Sequence, residues 1–145
     1  MLWFTKDKRS RMTRRYKERL KLTGLLGRDV HLYQDLRSLI TLTEDGFSRA
    51  QEDEQEFQQL FGEPMPEHLN IAVHLETDLW VAIRTTLEAA QHAAITPAEY
   101  DRLIPQLRHR LGLLEQVLNL EAEIMFSPLS KHFREQLQFL REMRS

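Results

Sequence analysis

Residues 66–94 read PEHLNIAVHLETDLWVAIRTTLEAAQHAA. Leu69, Val73, Leu79, Trp80, Ile83, Leu87, Ala90 and Ala94 keep step with a helix turning once per about 3.6 residues, so they share one face. That stripe predicts a long amphipathic helix which must bury its face against neighbours. Nothing elsewhere alternates for long with the period of two that a sheet requires, and the expectation is an all-α fold.

Downstream, Thr96-Pro97-Ala98-Glu99 is a helix start: the hydroxyl accepts from an unpaired first-turn amide, Pro presets φ, and Glu99 reaches back. Tyr100, Leu103, Leu107, Leu111, Leu114, Leu118 and Met125 then form one stripe, and Pro105 inside it removes a backbone donor and predicts a kink. Ser127-Pro128 repeats the start signal for a last helix bearing Leu129, Phe133, Leu137 and Leu140. Short connections make these three helices antiparallel. Upstream, one stretch carries Val30, Tyr33, Leu36 and Ile40, and another carries Phe47, Ala50, Phe57, Leu60 and Phe61. A break is expected between them at residues 43–46, with Thr43 as a cap. The alternative is one helix from residue 29 to 61, in which Gly46 costs about 1 kcal/mol relative to Ala. Gly62, Pro64 and Pro66 stop it. The predicted architecture is an antiparallel bundle of five to six helices, its C-terminal three the clearest.

Charge divides the 145-residue chain unevenly. Residues 1–28 hold ten Lys or Arg against Asp7 and Glu18, so the net charge of −2 combines a basic N-terminal arm with an acidic bundle over residues 29–145. The length suits a single domain with a substantial core. The absence of cysteine excludes disulfides, thiolate metal sites and a cysteine nucleophile. The Met1-Leu2-Trp3-Phe4 start is shorter than a signal-peptide core, and no run approaches the ~20 apolar residues of a bilayer span. The expected location is cytoplasmic, with peripheral membrane contact as a variant.

Within the arm, Lys6, Lys8, Arg9, Arg11, Arg14, Arg15, Lys17, Arg19 and Lys21 surround a narrow stripe of Met12, Tyr16 and Leu20, while Gly24 and Gly27 can turn the chain toward a new helix from Asp29. The candidate partner-binding residues are Trp3 and Phe4, as aromatic anchors, with Lys8, Arg9, Arg11, Arg14, Arg15, Lys17 and Arg19. Three destinations suit them. The arm can dock on the acidic stretch at Glu44, Asp45, Glu52, Asp53, Glu54 and Glu56, in its own chain or in a dimer mate. It can bind nucleic acid by releasing counterions, or an anionic membrane into which Trp3 and Phe4 insert.

Glu76 stands where the stripe of residues 66–94 calls for an apolar side chain and should face the core. Glu121 falls at the edge of the next stripe, and His132 and Gln136 fall within the last one, so these four are the candidate buried polar layer. Gln136, His132 or Arg37 is the expected partner of Glu76, because an unpaired buried carboxylate is too costly. No Glu-x-x-His pair of the di-iron bundles occurs, and neither a metal site nor a cofactor is expected.

Arg102 and His109 lie seven apart on one predicted helical face, an interval that resembles the Arg-x4-6-His spacing of HEPN-type ribonucleases, which are compact helical domains. That resemblance implies a dimer-interface site in which His109 moves a proton and Arg102 stabilises phosphate charge. No serine sits in a nucleophile elbow, and no phosphate loop or dinucleotide fingerprint appears, so no catalytic residue is assigned. The function expected from the sequence is a non-enzymatic protein–protein interaction module, an adaptor, assembly factor or regulatory subunit, using the basic arm and an acidic helical face. Binding of nucleic acid or an anionic membrane through residues 1–28 is the alternative, and a small HEPN-like RNase the next.

Overall fold

A computed structural model describes residues 6–126 and 132–144 of the chain. Among these described residues six α-helices follow in order: α1 (Lys6–Asp29), α2 (Leu36–Phe61), α3 (Glu67–His92), the short α4 (Pro97–Asp101), α5 (Ile104–Phe126) and α6 (His132–Met143). A 3-10 turn at Tyr33–Asp35 leads into α2. No strand occurs among the described residues.

Helix boundaries follow local chemistry. Gly62 closes α2 in the left-handed conformation, φ 69°, and its N–H bonds the Gln58 carbonyl at 2.8 Å. Thr96 caps α4 by accepting from the Glu99 amide at 3.2 Å, and its hydroxyl meets the Glu99 carboxylate at 3.2 Å. The expected kink near Pro105 is a full break. Arg102 and Leu103 bond the carbonyls of Glu99 and Tyr100, the chain leaves α-helical pairing, and α5 restarts at Ile104 with Pro105 in its first turn, where the missing donor costs least. The Ser127-Pro128 start lies outside the described residues.

Two predicted boundaries are corrected. α2 runs unbroken through residues 43–46, because Gly46 is an interhelical contact. A Cβ there would lie 2.5 Å from Cζ2 of Trp80 on α3, and the Thr43 hydroxyl donates back to the Ile40 carbonyl at 2.6 Å instead of capping. α1 likewise continues through Gly24 and Gly27 to Asp29, since the burial of Leu22 and Leu26 holds its last turns.

α1, α2, α3 and α5 close into a ring, each packed on two neighbours, and α6 lies outside it against α3 and α5. Cross-contacts fix the directions. Arg15 meets Asp53 while Glu18 meets Arg49, so α1 and α2 are antiparallel. Asn70 meets Glu54 and Trp80 faces Gly46, so α2 and α3 are too. Arg9 lies over Phe126 at one end of the α1–α5 seam and Arg19 faces Glu121 further along it. The result is an up-down-up-down four-helix bundle with an appended helix. Its core includes Trp80, Leu69, Ile83, Leu87, Leu107, Leu114, Val117 and Ile124, all fully buried. Burial stabilises by about 1.5–3 kcal/mol for each large apolar side chain.

At one end, two tyrosines tie the connections together. The Tyr100 hydroxyl donates to the Val30 carbonyl and the Tyr33 hydroxyl to the Ile95 carbonyl, with ring centroids 5.5 Å apart. Loop carbonyls that a buried turn would orphan are thereby satisfied.

Candidate functional site

Each helix of the ring sends one ionisable side chain to a common point inside the bundle: Arg19 from α1, Asp53 from α2, Glu76 from α3 and Glu121 from α5. All four are fully buried. Arg19 Nε donates to Glu76 Oε2 at 2.6 Å, and Nη2 donates to Glu76 Oε1 at 3.0 Å. On its other edge Nη1 donates to Asp53 Oδ1 at 3.0 Å and Nη2 to Asp53 Oδ2. The planar guanidinium thus holds two carboxylates bidentately. Trp80 Nε1 donates to Glu76 Oε2 at 2.8 Å, and half-buried Arg15 adds a bond to Asp53 Oδ1 at 2.8 Å.

Two arginines therefore balance Asp53 and Glu76. Glu121 is surplus: its Oε2 lies 3.6 Å from Arg19 Nη2, and neither carboxyl oxygen has a hydrogen-bond donor. Burial, followed by the Glu76 carboxylate, pushes the Glu121 carboxyl well above the usual range and so favours its protonated form. Burial also raises the Tyr16 phenol, helped by the Asp53 carboxylate. Burial opposes charge on Arg19, but the Glu76 and Asp53 carboxylates outweigh it and keep the guanidinium protonated. One oxygen from each of Asp53, Glu76 and Glu121 lies within 4.8 Å of the others, a spacing suited to a cation. Arg19 Nη2, in contact with all three, takes that position.

The predicted residues distribute as follows. Glu76 and Glu121 are buried, but the partners of Glu76 are Arg19 and Trp80, not Gln136, His132 or Arg37. His132 is exposed and Gln136 only half-buried, because α6 lies outside the ring and its inner face carries Phe133, Leu137 and Leu140. Arg19, expected among the contact cations, points inward and cannot touch a partner. Lys8, Arg11, Arg14 and Lys17 are exposed, and Arg9 is half-buried with its guanidinium 5.5 Å from the centroid of the Phe126 ring. Trp3 and Phe4 lie outside the described residues. Arg102 sits at the break between α4 and α5 and His109 within α5, where its Nε2 is 3.1 Å from the Met143 carbonyl, so the two do not share one helix.

Sequence reasoning placed Asp53 in the acidic stretch on which the arm can dock, and Arg15 and Arg19 do meet it there, but missed its full burial, the Trp80 bond to Glu76, and the Tyr16 ring 5.4 Å from the Arg19 guanidinium. Spacing carried the signal: Arg19 is three residues from Tyr16 and seven from Met12, and Asp53 lies between Ala50 and Phe57. No helix among the described residues is long and apolar enough to cross a membrane.

The fold and network define an up-down-up-down bundle with a salt-bridged polar centre. Compared with known protein families, curated proteins and solved structures, the chain matches none.

Proposed function

We propose that this chain is a non-enzymatic protein-interaction module, an adaptor, assembly factor or regulatory subunit, whose contact surface is the solvent face of α1 and the acidic flank of α2. One observation carries this reading. Arg11, Arg14, Lys17 and Lys21 are exposed and make no ion pair among the described residues, on a helix whose opposite side is locked into the core by Arg19. A rigid row of unpaired cations has no strong role in its own fold and is ready to steer and hold an acidic partner.

The test is affinity capture with the full chain and an Arg14→Glu/Lys17→Glu variant, in parallel with and without nuclease. Protein partners that survive nuclease and are lost on charge reversal support the proposal. Capture that disappears with nuclease transfers the surface to nucleic acid, and charge-dependent sedimentation with anionic vesicles in place of protein capture transfers it to membrane.

A further inference from the structure

The α1–α2 face carries its own complement. The Arg15–Asp53 and Glu18–Arg49 pairs set the antiparallel register of the two helices. Continued along both axes at 1.5 Å per residue, that register brings Arg11 level with Glu56, Arg14 with Glu52, Lys21 with Asp45 and Leu25 with Leu42, each to within about 3 Å. Arg11, Arg14, Lys21 and Glu52 are exposed, and Asp45 and Glu56 half-exposed. Glu56 makes no ion pair among the described residues, Glu52 makes only the 3.8 Å approach to Arg15, and Asp45 is paired at 3.1 Å with Arg49 of its own helix, leaving its second carboxyl oxygen for Lys21. Leu25 is 37 % exposed, an apolar residue at the end of a charged strip.

We infer that this face binds a second copy of the chain about a two-fold axis parallel to the helices. That axis places α1 of each copy on α2 of the other and preserves height, so Arg11, Arg14 and Lys21 meet the partner copy's carboxylates and Leu25 meets Leu42. A two-fold in the interface plane but perpendicular to the helices would set α1 on α1, cation against cation. Charge therefore selects one isologous arrangement. The area suffices: α1 has 24 residues, so a strip about 36 Å long and two helices wide offers roughly 700 Å² per copy, close to the ~800 Å² of a standard interface. This inference rests on the interaction reading and names the partner.

Sedimentation velocity of the full chain over a range of concentrations, at low and high salt, tests it. Two surface variants accompany the wild type: Arg11→Glu/Arg14→Glu/Lys21→Glu and Asp45→Lys/Glu52→Lys/Glu56→Lys, each checked for helicity. The wild type should dimerise at low salt and weaken at least about tenfold at high salt. Each folded variant alone should be monomeric, and an equimolar mixture of the two should recover a dimer. A wild-type monomer throughout, a dimer indifferent to both charge reversals, or a mixture of folded variants that stays monomeric overturns the inference. A monomer that still captures another protein through Arg14 and Lys17 overturns only the choice of a second copy, whereas loss of that capture too removes the interaction reading.

Discussion

Glycine has opposite meanings at different positions in this bundle. At Gly46 the missing Cβ makes room for the Trp80 ring, so Gly46→Ala should cost about 1–3 kcal/mol through overpacking, read as a lower urea midpoint. At Gly112 a Cβ would meet nothing within 4 Å and φ is not positive, so Gly112→Ala should raise stability by about 0.5–1 kcal/mol in the same titration. Glu121 supplies the pH dependence. Its folded carboxyl holds a proton that the unfolded chain releases at an ordinary carboxylate value, so the folded state binds more protons. That contribution is complete below the unfolded value and is lost as pH rises toward and through the folded one. Urea midpoints across this window should therefore fall more for the wild type than for Glu121→Gln, which has no proton to lose. Equal pH profiles would show Glu121 ionised in the fold.

At the scale of the helix, Arg19 anchors α1 to three others at once. Arg19→Leu leaves Glu76 without its guanidinium and Asp53 with Arg15 alone, and should destabilise by about 3–5 kcal/mol, with faster hydrogen exchange along α1. Adding Asp53→Asn and Glu76→Gln should recover part of that loss, because the uncompensated charge goes with the carboxylates. The sequence shows which residues can make helices better than where every helix continues. The Thr96 cap, the Gly62 stop and the stripe of α3 are local patterns, and all appear as helix features in the structure. The continuity of α2 stood only as the alternative to a break, because Gly46 is justified only by Trp80, on another helix. Arg19 was hidden for the same kind of reason: an arginine belongs in a core only when carboxylates from elsewhere surround it. Glu76 and Glu121 could be placed by helical phase, whereas His132 could not, since phase gives a helix's inner face and not whether that helix lies in the ring or outside it.

For the whole molecule, three of the four seams of the ring join helices that follow closely in sequence, and the fourth joins α1 to α5 across the entire length of α2 and α3. No short connection holds that fourth seam. Its order is therefore kinetic as well as spatial: the local hairpins can form before the chain bears the entropy of bringing its distant ends together. Truncations such as Leu111→Ala, on the α5 side of this seam, should accelerate unfolding while leaving the refolding rate nearly unchanged in stopped-flow denaturant jumps. Truncations between α2 and α3, such as Val73→Ala beside Ala50 and Glu54, should slow refolding. Closure between α1 and α5 would then be the late step that turns a pair of hairpins into a ring.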